Sequence, residues 1–323
     1  MRLLSAISLF FVLVVPSFAA QAQPVEVLTS IKPLQLIAAA VQDDLGQPEV
    51  LLPPGASPHH YALRPSDVRR VREADLMYWI GPDMETFLMR VLEGRSRPDV
   101  PVQNLSGLTL RHFAESDDHG DEHEHAGHAE HDGHGHGSEL ADKHDHDHRP
   151  GSLDAHLWLL PANAKIIAAQ MAQDLAELDP ANAERYQANA QAFNQRLDQL
   201  DQRIKAQIKT VSNKPYFVFH EAYDYFESAY GLKHTGVFSV LADVQPGARH
   251  VAAMRERLQQ TGPACIFSEP PLRPRLAQTL SEGLPVKLAE LDAMGGSLPA
   301  DSSGYEALIE NLANELVGCL NSL

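Results

Sequence analysis

VEVLTSIKPLQLIAAAVQDDLGQPEVLLP, residues 25–53, decides the fold. Its first seven residues have the β-branched density of a buried strand. KPLQLIAAAVQDDLG then reads as a helix stopping at Gly46, and EVLLP as a second strand. Strand, helix, strand is the repeating unit of a parallel sheet covered on both faces. Pro53-Pro54-Gly55 force a loop that continues through SPHHYALRPSD. A short helix can start at Ser66 and Asp67, and LMYWIG supplies a third strand.

The same alternation returns in the second half. YFVFH, a strand near HTGVFSV, CIFSE and VKLAELD read as strands. EAYDYFESAY, a segment from Gln245-Pro246-Gly247 onward, PRLAQTLSEG and YEALIENLANELVGCL read as the helices between and after them. Joining the blocks is DAHLWLLPANAKIIAAQMAQDLAEL, a strand or turn followed by a helix. After it comes ANAERYQANAQAFNQRLDQLDQRIKAQIKT, about thirty residues with no internal Gly or Pro. Its apolar positions (Tyr186, Ala190, Phe193, Leu197, Leu200, Ile204, Ile208) recur at spacings of three and four, the mark of one amphipathic helix. A coiled-coil dimer would show the same stripe, but a place between two α/β blocks favours a linker. The expected architecture is therefore α/β: two lobes with mostly parallel sheets joined by one long backbone helix. The boundaries are an N-terminal lobe over 23–180, a linker helix over 181–210 and a C-terminal lobe over 211–323. Neither G-x-G-x-x-G nor a P-loop occurs.

Residues 1–22 read as a secretory signal peptide. Met1-Arg2 is basic, residues 3–19 are apolar, and Ala20-Gln21-Ala22 fits an A-x-A site, with cleavage after Ala22 or Ala19. An uncleaved anchor is the alternative; the short run and Pro16 argue against it. No cysteine follows the run, so there is no lipid-attachment signal. The mature chain is expected to be exported and soluble.

Of the net charge of −17, residues 115–149 carry −10, with twelve acidic residues against Lys143 and Arg149; the remainder, −7, is ordinary. Such a chain is a poor candidate for nucleic acid or anionic membrane. The same segment holds ten of the seventeen histidines: His119, His123, His125, His128, His131, His134, His136, His144, His146 and His148. With almost nothing apolar to bury, it reads as a disordered acidic insertion in the first lobe. It suits weak binding of several metal ions, or docking of a metal-delivering partner, rather than a single tight site. Only two cysteines exist, Cys265 and Cys319. In an exported protein so sparse a pair reads as one disulfide, with two free thiols or a metal pair as alternatives. A disulfide would tie the C-terminal helix to a buried strand and stabilise by roughly 2–4 kcal/mol.

Outside the insertion seven histidines remain: His59, His60, His112, His156, His220, His234 and His250. In open α/β sheets ligands bind beyond the carboxyl ends of strands. His59 follows the second strand of lobe one, and His220 and Asp292 end strands of lobe two. His156 can join them across the cleft. Three imidazoles with a carboxylate or a water suit a borderline divalent ion such as zinc. Any one histidine taken alone is an ordinary surface or hydrogen-bonded residue; the case rests on their joint placement. His112, His234 and His250 are left as structural or surface residues, and His60 as a cleft-edge residue. His220-Glu221 begins like H-E-x-x-H, but Asp224 stands where the second histidine is needed, and no G-x-S-x-G occurs. No enzyme is expected.

LLPPGASPHHYALRPSD, DAHLW, YFVFHEAYDYF and LAELD resemble, in this order, motifs of the ABC-transporter metal-binding proteins (cluster A-I), and among these the zinc-specific periplasmic members. The resemblance covers essentially the whole mature chain. It implies two α/β lobes on a rigid backbone helix with Zn(II) in the inter-lobe cleft, an acidic His-rich loop in lobe one, and a disulfide that Cys265 and Cys319 would fill. It places the ligands on His59, His156 and His220. Manganese-type relatives carry a glutamate at the third position, so His220 favours zinc. Some zinc members place a glutamate just before the first histidine; here Pro58 stands there, which leaves the fourth position to Asp292, a water or His60. The partners implied are an inner-membrane permease and its ATPase, with a zinc-delivery protein at the loop, and the chain is expected to be monomeric. A periplasmic zinc buffer or an adhesin would share the fold.

Overall fold

The computed structural model describes residues 24–113, 151–239, 248–270 and 275–323. The expected signal peptide, the His-rich insertion with its ten histidines, and Gln245-Pro246-Gly247 lie outside the described residues.

In the first lobe the chain runs β1 (Val27–Thr29), α1 (Lys32–Gln42), β2 (Glu49–Val50), α2 (Pro65–Glu73), β3 (Leu76–Trp79), α3 (Thr86–Leu92) and β4 (Asp99–Pro101). The strands are parallel in the order β2-β1-β3-β4. β1 and β3 are buried throughout, as continuous apolar runs in a parallel sheet require. α3 and β4 went unplaced in the sequence. α3 is only seven residues long, and β4 is three half-buried residues ending in Pro101, so neither carries a legible period. Proline stands in the first turn of α1, α2 and the later α4, where its missing N–H costs nothing.

α4 (Pro161–Leu178) and α5 (Ala183–Ile208) follow. All seven apolar positions of the α5 stripe are buried. At 1.5 Å per residue the 26-residue helix is about 39 Å long. It packs on α1 and α4 of the first lobe and on the C-terminal helix of the second, so one helix serves both cores.

The second lobe repeats the topology: β5 (Tyr216–His220), α6 (Asp224–Tyr230), β6 (Gly236–Ser239), α7 (Ala248–Thr261), β7 (Ala264–Ser268), α8 (Arg275–Ser281), β8 (Val286–Glu290) and α9 (Gly304–Asn321). Its parallel order is β6-β5-β7-β8, the first lobe's order with new numbers. The two faces of β5 feed two cores. Tyr216 and Val218 join the large cluster that runs through both lobes, while Phe217 and Phe219 pack with Phe238, Met254 and Leu258. Cys265 in β7 and Cys319 in α9 form a disulfide, with Cα atoms 6.3 Å apart at a sequence separation of 54. Among the described residues no helix is long and apolar enough to cross a membrane.

Hydrogen bonds fix one lobe on the other. Trp158 Nε1 donates to Ala293 O (2.9 Å), and Tyr305 OH to Trp158 O (2.6 Å). Tyr225 OH donates to Asp154 O (2.9 Å) and accepts from Arg111 N (2.8 Å).

Candidate metal centre

Three separate local structures deliver the histidines. The chain leaving β2 is held by Leu51 N to Thr29 O (2.8 Å) and Leu52 N to Ser30 O (3.0 Å). It turns at Pro53-Pro54-Gly55, where Gly55 has φ +78°. Downstream, Asp67 at the start of α2 anchors the loop by accepting from Tyr61 OH (3.0 Å) and Arg64 N (2.9 Å). Between the two anchors His59 is buried.

His156 follows a short antiparallel closure. His112 and Leu153 form a bridge, and Asp154 N donates to Arg111 O (2.9 Å). The chain on either side of the His-rich segment is thereby paired just ahead of His156. Asp154 Oδ1 then accepts from both His156 N (3.0 Å) and His156 Nδ1 (2.8 Å). One turn of 3-10 helix, Leu157–Leu159, places Trp158 against the ring, with centroids 5.3 Å apart.

His220 ends β5. In both lobes the strand order reverses between the first and third strands, which opens a crevice at their carboxyl ends. In lobe two that crevice holds His220 and, just past β7, Glu269, whose Oε1 accepts from His220 Nδ1 (3.0 Å). In lobe one it is filled by Glu85, fully buried, which accepts from Ile80 N (2.7 Å) and Gly81 N (3.2 Å). One crevice is thus closed by a carboxyl group, while the other presents an imidazole.

The three rings meet between the lobes. Centroid separations are 5.4 Å for His59–His156, 5.7 Å for His59–His220 and 5.0 Å for His156–His220. One nitrogen from each lies within 4.8 Å of the others. With Zn–N near 2.0–2.1 Å, tetrahedral nitrogens stand about 3.3 Å apart, so closing on an ion needs ring movements of about an ångström. The rings lie in a cleft of about 1280 Å³ that reaches Asp292 and the Met294–Gly296 turn.

Burial holds His156 well below the usual imidazole range, with the neighbouring His220 and His59 adding to the effect, so its ring is neutral at neutral pH. A neutral ring is what a metal requires. Burial also raises Asp154 to about 7. Burial pushes Glu269 upward too, but the charge of His220 beside it and their hydrogen bond outweigh this, leaving its carboxyl below the ordinary range. The second ring nitrogens of His156 and His220 are therefore fixed by carboxyl groups, the arrangement that orients metal-ligating histidines.

Asp292 lines the same cleft, but its carboxylate accepts three backbone N–H groups: Met294 and Gly295 on Oδ1 (2.9 and 2.8 Å) and Gly296 on Oδ2 (2.9 Å). His60 and His112 are exposed. His234 forms a second group with Asp224 and Glu227. There Nδ1 lies 3.0 Å from both Glu227 oxygens, and Tyr216 OH donates to Glu227 (2.6 Å). This is an internal ion pair: burial works against the charged ring, but Glu227 raises it above its usual range.

Sequence reading passed over Glu269 and Asp154. Both were reachable: Glu269 ends CIFSE just as His220 ends YFVFH, and Asp154 opens DAHLW.

Residues 27–319 match the family described as zinc-uptake complex component A, periplasmic. The high-affinity zinc uptake system protein ZnuA of Yersinia pestis is 39% identical over 296 residues, covering 91% of each chain. Its namesake from Brucella suis biovar 1 is 38% identical over 306 residues, again covering 91% of each. Among solved structures, one described as the crystal structure of ZnuA superposes with a TM-score of 0.70 at 22% identity, covering 90% of this chain and 98% of that one. The solute-binding protein FpvC from Pseudomonas aeruginosa with Mn2+ gives 0.72 at 19% identity, covering 93% and 99%. At these identities the structures establish a shared fold.

Proposed function

The chain belongs to the ZnuA family of periplasmic zinc-uptake components, and from that premise we propose that it captures Zn(II) with high affinity and delivers it to an inner-membrane ABC permease. It is a binding protein of a transport system, not an enzyme. His59, His156 and His220 displace water from the incoming ion. The observation that carries this is their convergence, all three buried, from two lobes onto one point. Three imidazole nitrogens favour zinc over the harder manganese. The fourth position belongs to a water or to Asp292, which reaches the cleft but already accepts three backbone N–H groups.

The wider reading follows from the same premise. Residues 1–22 direct export and are removed. The lobes are 23–180 and 211–323, with 181–210 as the stiff link. Monomeric protein presents one lobe to each half of the permease, whose own ATPase drives release. The insertion over 115–149, through the ten histidines named above, gathers ions weakly and receives a zinc-delivery protein.

Zinc titration against a competing chelator tests this, with the full chain compared with a variant lacking 115–149 and with His220→Ala. The deletion is expected to keep one tight zinc and lose only weaker ions, and His220→Ala to lose the tight one. Disappearance of the tight ion with the insertion would place the site there instead. A periplasmic buffer would bind identically, yet zinc-limited growth would not depend on it together with its permease.

A further inference from the structure

The cleft is far larger than a single ion requires. An ion displaces a few waters of about 30 Å³ each, whereas the cleft holds about 1280 Å³, enough to enclose a small organic molecule. Three histidines also leave a tetrahedral ion one donor short, and the protein's own candidate, Asp292, already spends both oxygens on backbone N–H groups. The charge of the cleft is divided between the lobes. Lys32, the first residue of α1, lines the lobe-one side. Its Nζ donates to the neutral Gln35 Oε1 (3.0 Å), and it forms no ion pair among the described residues. Burial works against its ammonium, and Asp301 supports it from beyond ion-pair distance. The lobe-two side carries Glu290, at the end of β8, and Glu315, on α9, besides the hydrogen-bonded Asp292 and Glu269. An ammonium lining the path of a dication repels it, so the bare ion gains nothing from Lys32. A zwitterion gains from both sides.

We propose that the cleft takes Zn(II) together with a free amino acid whose side chain carries a metal donor, histidine being the simplest case. The side chain replaces water at the fourth position, the α-carboxylate meets Lys32, and the α-ammonium faces Glu290 and Glu315. This rests on the zinc-binding reading of the three protein histidines. A fourth imidazole nitrogen suits a borderline ion in tetrahedral geometry. Two other small molecules separate the charge pattern from simple ligation. Imidazole offers the same donor to the ion but has nothing for either side of the cleft. Citrate offers carboxylates to the ion and to Lys32, yet brings negative charge toward Glu290 and Glu315, where like charges repel.

The experiment is equilibrium dialysis of the full chain, loaded with one equivalent of zinc, against radiolabelled L-histidine, imidazole or citrate. The zinc content of every dialysed sample is measured alongside, and the metal-free chain is run in parallel. Wild type is expected to retain one histidine per chain when zinc is present and none without it. Histidine should bind about tenfold or more tightly than imidazole or citrate, the effect of hydrogen bonds to charged groups. Lys32→Met should lower the affinity for histidine about tenfold, toward that of imidazole, and Lys32→Arg should retain it. Zinc-loaded wild type that retains no histidine, or retains imidazole or citrate as tightly, would overturn the proposal. So would retention without zinc, or wild-type affinity for histidine in zinc-loaded Lys32→Met. A wild-type chain that loads no tight zinc would instead sink the underlying zinc-binding reading.

Discussion

Replacing Glu85 with glutamine should stabilise this protein above neutral pH and do little for it in acid. Glu85 is fully buried in the lobe-one crevice, and burial raises its carboxyl from 4.5 to about 7, against the opposing pull of Ser30 and the Gly81 and Ile80 N–H groups. The native state therefore holds a proton that the unfolded chain releases. Below pH 4.5 both states are protonated and the group contributes no pH dependence. Between pH 4.5 and about 7 the unfolded chain gains by ionising, and stability falls as pH rises. Above 7 the loss is complete. The rise from 4.5 to about 7, at 1.36 kcal/mol per pH unit, makes that loss about 3 kcal/mol, as an order of magnitude. Glutamine keeps an oxygen for Ile80 N and Gly81 N and offers an amide toward Ser30 Oγ, with no charge to bury. Denaturant unfolding of both proteins at pH 4 and pH 8, with zinc excluded, reads the effect. The expected result is near-equal stability at pH 4 and a gain for Glu85→Gln of about 1–3 kcal/mol at pH 8. A variant equally destabilised at both pH values would refute the reasoning, since it would mean that the carboxyl group is held by its hydrogen bonds and not penalised by burial.

The remaining predictions concern the cleft and the cross-link. Asp292→Asn retains an acceptor for Met294 N and Gly295 N, and is expected to weaken the tight zinc by less than tenfold in chelator competition; a larger loss would make Asp292 the fourth ligand. Converting Cys265 and Cys319 together to serine opens a loop with 54 residues of sequence separation, worth about 4 kcal/mol by chain entropy. Chemical unfolding should show most of that loss, while zinc affinity at 25 °C stays within a few-fold because neither cysteine lines the cleft.

Much of the architecture was legible in the chain because it rests on local periodicity. Continuous apolar runs announced the buried parallel strands, and the three-and-four stripe from Tyr186 to Ile208 announced a helix buried along one face. Short elements without a period, α3 and β4, stayed hidden. The rule that ligands gather at strand ends picked out His59, His220 and Asp292, with His156 set across the cleft from them, and the motif resemblance pointed to the same three histidines. Sequence could not separate a side chain that points into the cleft from one spent elsewhere. His59 and His60 are adjacent and chemically identical, yet one is buried among the histidines and the other is exposed. Asp292 sits at the expected strand end, but its oxygens are turned to the Met294–Gly296 turn. Glu269 gained its place only because β7 lies beside β5, a pairing of residues 49 apart in sequence. Composition and period determine which segments fold and which faces they bury. Which nitrogen meets which carboxylate is decided by contacts between segments distant in the chain, because hydrogen-bond direction depends on where the partner backbone arrives.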